Sequence, residues 1–379
     1  MTDETAPQPG KFPCETCGAA LVFAPGEAVT RCPFCGAENR IEEPANPWAV
    51  EKSEAALDEQ NLARALEGKL DEAEIEETRT VHCDSCGADV EFDADTHAGT
   101  CPFCASPIVT ETSANRHIKP KGVLPFGLTE REARKAMTDW LGRLWFAPSG
   151  LKDYARAGRP MEGLYVPYWT YDADTETRYR GQRGDVYYVT RRVPVTVNGK
   201  TQMQLRQVPK IRWSAASGRV ARFFDDVLVL ASRSLPKEYA DKLGPWDLSQ
   251  LRPYRPAFLA GFRAEAYTVP LQDGYAEARA KMDEVIRRDI RFDIGGDQQR
   301  INAVETTISG ATFKHILLPV WLAAYKYRGQ TYRFIVNGRT GAVQGERPWS
   351  AWKIAAAVIL GLVAAGAVGY ALHASGGLR

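Results

Sequence analysis

The residues of this chain best suited to chemistry are its cysteines. All eight fall into two copies of one pattern, Cys14-x2-Cys17 with Cys32-x2-Cys35, then Cys83-x2-Cys86 with Cys101-x2-Cys104. In each copy 14 residues separate the two pairs, and every cysteine of the second copy lies 69 positions after its counterpart. Two CxxC knuckles at this spacing bring four thiolates around one tetrahedral Zn²⁺. The likeness extends past the ligands. Cys-Glu-Thr-Cys-Gly-Ala at 14–19 answers Cys-Asp-Ser-Cys-Gly-Ala at 83–88, Cys-Pro-Phe-Cys occurs in both, and Phe23 answers Phe92. The pattern predicts a duplicated zinc ribbon with two Zn²⁺ per chain.

Disulfides in an exported domain and a redox dithiol are the competing readings. A redox CxxC stands once, at a strand-to-helix turn, whereas here four knuckles recur at equal spacing. Four Cys fill each coordination shell, leaving no position for a water, so the predicted zinc is structural and not catalytic. His82 and His97 are then surface residues beside a complete shell. A ribbon of this size has little apolar core, and structural zinc worth ~10–16 kcal/mol would supply most of its folding energy.

Elsewhere no catalytic constellation is legible. The nearest approach to a phosphate-binding loop, Gly199-Lys200-Thr201, has Pro194 where the first glycine should stand and lies in a hairpin. There is no G-x-S-x-G, H-E-x-x-H or dinucleotide fingerprint. The five histidines (82, 97, 117, 315, 373) are scattered. His315, within an apolar strand, reads as a hydrogen-bonded core residue. Asp225-Asp226 could bind a metal but reads as a turn or surface pair. The sequence points to a protein that is not an enzyme.

The elements that must position the cysteines follow from composition and periodicity. We read zinc ribbon 1 at 12–43, an acidic helical spacer at 44–79, zinc ribbon 2 at 80–112 and a core domain at 113–350. Asp71-Glu72-Ala73-Glu74 is expected on a solvated helix face. In the core, Thr129-x-x-Glu132 forms a capping box before a helix whose stripe is Ala133, Ala136, Met137, Trp140, Leu141 and Leu144. Val186–Val197 and Gln202–Trp213 flank Asn198-Gly199, a hairpin signal. Val227–Leu230, Ile301–Ile308, Thr312–Tyr327 and Thr331–Val336 read as strands, Tyr275–Arg288 as a helix, and Asn337-Gly338 with Thr340-Gly341 as a turn. The fold class is α+β on antiparallel sheet. A weaker repeat relates Pro167-Tyr168-Trp169 with Tyr179-Arg180-Gly181-Gln182 to Pro319-Val320-Trp321 with Tyr327-Arg328-Gly329-Gln330, suggesting two related hairpins.

Charge divides sharply along the chain. Residues 1–110 carry 7 Lys/Arg and 22 Asp/Glu, 7 − 22 = −15, and residues 111–379 carry 41 and 25, 41 − 25 = +16. An acidic zinc arm is poorly suited to binding phosphates itself. The basic remainder suits nucleic acid, an anionic lipid surface or the acidic arm. Its Lys and Arg interleave with aromatics at Arg178, Tyr179, Arg180, Arg183, Tyr187, Tyr188, Arg191 and Arg192, and again from Arg206 to Arg222. Ile354–Leu372 is a 19-residue run without a charge, led by Trp349 and Trp352, and predicts a single transmembrane helix at 352–373. No secretory signal opens the chain. Arg339, Arg347 and Lys353 before the span, against Arg379 after it, predict a single-pass membrane protein with its N-terminus in the cytoplasm. Ala357, Gly361, Ala365 and Gly369 at i, i+4 spacing offer a face for self-association.

These residues resemble a family of bacterial membrane proteins with paired N-terminal zinc ribbons and a C-terminal anchor. Its members are often labelled primosomal protein N′ (replication factor Y)-superfamily II helicase, or TFIIB-type zinc-ribbon protein. The resemblance covers both ribbons, Leu318-Pro319-Val320-Trp321, Val336–Gly341 and the anchor. It implies a non-enzymatic, membrane-anchored adaptor recruiting cytosolic proteins in membrane stress, with partners of the phage-shock or SPFH (flotillin-like) type. The alternative is a DNA-associated replication accessory binding nucleic acid through the basic core, without a helicase motor.

Overall fold

A computed structural model describes residues 13–26, 29–41, 57–85, 87–91, 98–103, 106–109, 113–144, 161–197, 200–327, 330–346 and 350–374. It is a mixed helix-and-sheet protein whose centre is one large, mostly antiparallel sheet. In the core we label β1 (Gly122–Val123), α1 (Glu130–Arg143), β2 (Glu162–Val197), β3 (Lys200–Leu230), β4 (Arg263–Ala264), α2 (Leu271–Ile294), β5 (Gln298–Tyr327), β6 (Gln330–Asn337) and β7 (Val343–Gly345). The last helix, α3 (Ala351–Ala374), follows the sheet.

Two copies of one β-α-β-β unit build this core. The first is β1-α1-β2-β3 and the second β4-α2-β5-β6. The strands β2 and β5 pair antiparallel at the centre. Each unit's short first strand crosses over to pair in parallel with the long strand of the other: β1 with β5, β4 with β2. The hydrogen bonds repeat atom for atom. Leu124 N–H donates to Leu317 O (2.9 Å) as Glu265 N–H donates to Tyr165 O (3.0 Å), and Ala231 N–H to Pro167 O (3.0 Å) as Gly338 N–H to Pro319 O (2.9 Å). Trp169 Nε1 donates to Val269 O at the entry to α2, and Trp321 Nε1 to Leu128 O at the entry to α1, both at 3.0 Å. Tyr267 lies against Trp169 as Phe126 lies against Trp321, with ring centroids 4.8 and 5.0 Å apart.

The Pro-Tyr-Trp and Pro-Val-Trp segments are therefore true equivalents, but the rest of the expected hairpin repeat is not. Tyr179 sits in mid-strand opposite Val304, whereas Tyr327 pairs with Gln330 at a hairpin end; Arg328 and Gly329 lie outside the described residues. The two units differ in what they lengthen. The first extends its hairpin, the second its helix and the start of its second strand. Side by side these extensions make a three-stranded arm, β3-β2-β5, with α2 on one face. Leu271, Gly274, Ala278, Met282, Ile286, Ile290 and Ile294 form the helix stripe buried on it.

Several sequence expectations change. The strands expected at 301–308 and 312–327 are one strand, β5, bent by an irregularity near Gly310 (φ +61°). The segments 186–197, 202–213 and 227–230 belong to β2 and β3, which pair up to Val197↔Lys200, the register a two-residue turn requires; Asn198 and Gly199 themselves lie outside the described residues. The 44–79 spacer is not one continuous helix where it is described: a short helix at Leu62–Leu66 gives way to a single 3-10 turn at Glu72–Glu74 and a strand at Ile75–His82. That strand pairs with Asp89–Glu91 and with Ser113–Ile118, so the second cysteine unit is framed by strands reaching beyond 80–112. The capping box holds as read, with Thr129 N–H donating to Glu132 Oε2 at 2.8 Å, and Ala133, Met137 and Leu141 are buried. Among the described residues one helix, Trp352–Ala371, is long and apolar enough to cross a membrane, and none of it is buried in the protein.

Candidate metal centre

Each cysteine knuckle is shaped by its own backbone. In the first, Cys14 N–H donates to Ala19 O and Gly18 N–H to Cys14 O, both at 2.7 Å. In the second, Cys32 N–H donates to Ala37 O (2.8 Å) and Gly36 N–H to Cys32 O (3.0 Å). Gly18 and Gly36 hold φ of +75° and +72°, a conformation that favours a residue without Cβ. The strands Val22–Phe23, Val29–Arg31 and Glu38–Arg40 form a small antiparallel sheet linking the knuckles. Cys14, Cys17, Cys32 and Cys35 are brought together: Cys14 Sγ is 3.6 Å from Cys35 Sγ, Cys17 Sγ is 3.5 Å from Cys32 Sγ, and all four sulfurs lie within 4.8 Å of one another.

No disulfide joins the four, and the Sγ separations far exceed the ~2.05 Å of an S–S bond. Crowded thiols cannot all ionise unaided. Cys32 is drawn down to about 6, first by hydrogen bonding to the Cys35 backbone, and Cys14 is also lowered despite its burial. Cys35 is held up to about 12: the Ala37 backbone acts to lower it, but the Cys17 and Cys32 thiols outweigh that. A soft divalent cation is the group that lets four such sulfurs carry charge together. These four residues could hold one metal ion.

The second unit repeats the knuckle where it is described. Cys83 N–H donates to Ala88 O (2.8 Å), Gly87 N–H to Cys83 O (2.7 Å), and Gly87 has φ +73°; Cys101 N–H donates to Ser106 O at 2.8 Å. Cys86, Cys104, Phe92 and His97 lie outside the described residues. His82 is a surface residue, as read, with Nδ1 2.6 Å from Asp89 Oδ1.

Two polar clusters emerge that the sequence does not announce. At the bulge where Asp225 and Asp226 oppose Asp172, carboxylate oxygens of Glu59, Asp172 and Asp225 lie within 4.8 Å of one another. Lys314 Nζ supplies one compensating positive charge, 3.0 Å from both Glu59 Oε1 and Asp226 Oδ1. Asp172 is pushed up to about 7, chiefly by burial and then by hydrogen bonding with Glu59. The cluster clamps residues 57–61 onto β5, where Gln60 and Asn61 also pair. The second lies between the Ile75–His82/Ser113–Ile118 ladder and the core. There His117, Glu265 and His315 line a cavity of about 20 Å³, room for roughly one water. His315 Nδ1 lies 2.7 Å from Ile118 O, so this histidine is the hydrogen-bonded core residue expected, and burial draws it down to about 4. Its Nε2 and Glu265 Oε2 are buried without a protein partner. These groups meet from distant parts of the chain, so no local spacing could reveal them.

The chain matches no protein-family model and no solved structure. It is similar to the uncharacterized protein YdjG of Bacillus subtilis (strain 168), with 26% identity over 250 residues, covering 63% of this chain and 67% of that one.

Proposed function

We propose that this protein is a membrane-tethered, non-enzymatic adaptor that recruits cytosolic proteins through its first zinc module. On this reading each cysteine unit holds one structural Zn²⁺, α3 spans the bacterial inner membrane once, and the N-terminus is cytoplasmic. The observation that carries the proposal is Phe34, in the tip of the second knuckle of that module, which is 82% exposed. A large aromatic held out on a metal-stiffened turn, in an acidic segment, is the kind of rigid anchor that protein interfaces use. Proteins of the phage-shock or SPFH type, implied by the family resemblance, are the first partners to test. A photo-crosslinker placed at Phe34 in the full-length protein, in cells, is expected to capture one reproducible protein partner, and Phe34→Ala to lower its co-purification at least tenfold. No reproducible adduct, or undiminished recovery with Phe34→Ala, would sink the reading.

A further inference from the structure

The strand β5 begins at Gln298, opposite Gly184. Past that point β2 and β3 continue alone, paired from Asp185↔Arg212 to Val197↔Lys200. The 13 residue pairs make a two-stranded ribbon ~43 Å long at ~3.3 Å per residue. Beyond Val186, whose N–H donates to Asp297 Oδ2 at 2.7 Å, no hydrogen bond or ion pair ties the ribbon to another element among the described residues. A lone two-stranded ribbon is marginal in water, and this one leaves Tyr188, Met203 and Leu205 exposed to 63, 62 and 68%. Its charge is one-sided: Arg191, Arg192, Lys200, Arg206, Lys210 and Arg212 against Asp185, 6 − 1 = +5.

We propose that this ribbon is a binding arm for double-stranded DNA. Its like charges oppose edge-to-edge pairing with a second copy. The direction of the chain argues against the tethering bilayer. The strand β7 runs parallel to β5, and Glu346 N–H donates to Arg333 O, so the chain leaves toward α3 at the end of the sheet opposite the arm. By strand rise the ribbon tip lies up to ~130 Å from that exit. A two-stranded ribbon fits the major groove of B-form DNA, while the narrow major groove of A-form RNA excludes it. About 43 Å of duplex spans roughly 12 base pairs and offers a continuous row of phosphates. The exposed apolar groups of Tyr188, Met203 and Leu205 suit contact with the thymine methyl groups that the major groove presents.

Full-length protein in a neutral detergent, titrated with a fluorescent 30-base-pair duplex from 50 to 300 mM KCl, tests this. The expected slope of log affinity against log salt is about −4 to −5. The triple variant Arg191→Gln/Arg192→Gln/Arg206→Gln should weaken binding at least tenfold at 100 mM and flatten the slope by about 3. The control triple Arg279→Gln/Arg287→Gln/Arg288→Gln on α2 should stay within twofold of wild type. Absence of duplex binding at 50 mM, an equal loss in both triples, or an unchanged slope overturns the proposal. So does a ribbon triple that abolishes binding to phosphatidylglycerol vesicles while sparing the duplex.

Discussion

Phe34 and Phe103 occupy the same place in the same tetrapeptide, Cys-Pro-Phe-Cys, yet one is 82% exposed and the other 0%. The first cysteine module keeps a core of its own, Cys14, Leu21 and Cys32 with Ala19 and Ala37. At its other end it packs on the main body: Phe23 and Ile41 join the cluster of Val123, Phe126 and Trp321, Phe23 lies 5.6 Å from Phe258 ring to ring, and the N–H groups of Phe23 and Gly26 donate to Ala260 O and Phe126 O. Among the described residues the second module has no separate core. Val81, Cys83, Ala88, Cys101 and Phe103 belong to the same cluster as Leu164, Tyr168 and Leu230 of the central sheet. The same knuckle thus stands in two settings: in one its tip is packed into the body, in the other it is held out from it.

Removing the metal ligands tests that division most severely. On the two-zinc reading, Cys14→Ser/Cys32→Ser and Cys83→Ser/Cys101→Ser should each lower bound zinc from two ions to one by elemental analysis. Each loses up to ~10–16 kcal/mol of local folding energy. Only the second pair should also shift the urea midpoint of the core, followed by tryptophan emission. If both pairs shift it equally, the modules are not different in kind. The next effect is packing. Phe103→Ala should cost ~3–5 kcal/mol and Phe34→Ala less than ~0.5 kcal/mol in the same urea titration, and comparable losses would erase the contrast. The smallest concerns the segment between the modules, clamped to β5 beside Asp172. Because the folded carboxyl sits near 7 instead of 3.8, its contribution to stability is complete below pH 3.8 and is lost as pH rises through about 7. Asp172→Asn should flatten the fall in stability between about pH 4 and 7, and an unchanged slope would remove this carboxyl as its source.

The cysteine pattern, the capping box and the apolar C-terminal helix were legible because each is a local code: spacing, a reciprocal side-chain bond, an uninterrupted apolar run. The hairpin at 186–213 was legible too, even with Pro194 and Pro209 in it, but its continuation into the arm was not, because Gly181, Gly184 and Gly218 ordinarily punctuate strands. Here each has a three-dimensional reason. A Cβ on Gly181 would meet Arg300 O at 2.3 Å, and one on Gly218 would meet Tyr179 Oη and Asp293 Oδ2 at 2.7 Å. Pro194 and Pro209 lie in the ribbon, where each strand has a free edge. The spacer misled for the opposite reason. Its Ala, Leu and Glu content favours helix, but Gln60, Asn61 and Ile75–His82 are recruited by distant strands, and such pairing overrides weak intrinsic preference.

The exchange of first strands between the two core units dictates when the chain can fold. Gly122 and Val123 take their parallel partners from Ile316 and Leu317, so the first unit cannot complete its sheet from its own residues. At ~5–20 residues per second the ribosome needs on the order of 10–40 s to travel from one to the other. Through that interval both cysteine units have already been made while the sheet that the second packs against is open. Closure of the centre then coincides with the synthesis of the apolar C-terminal helix, so the sheet completes only as the last element of the described chain is being made.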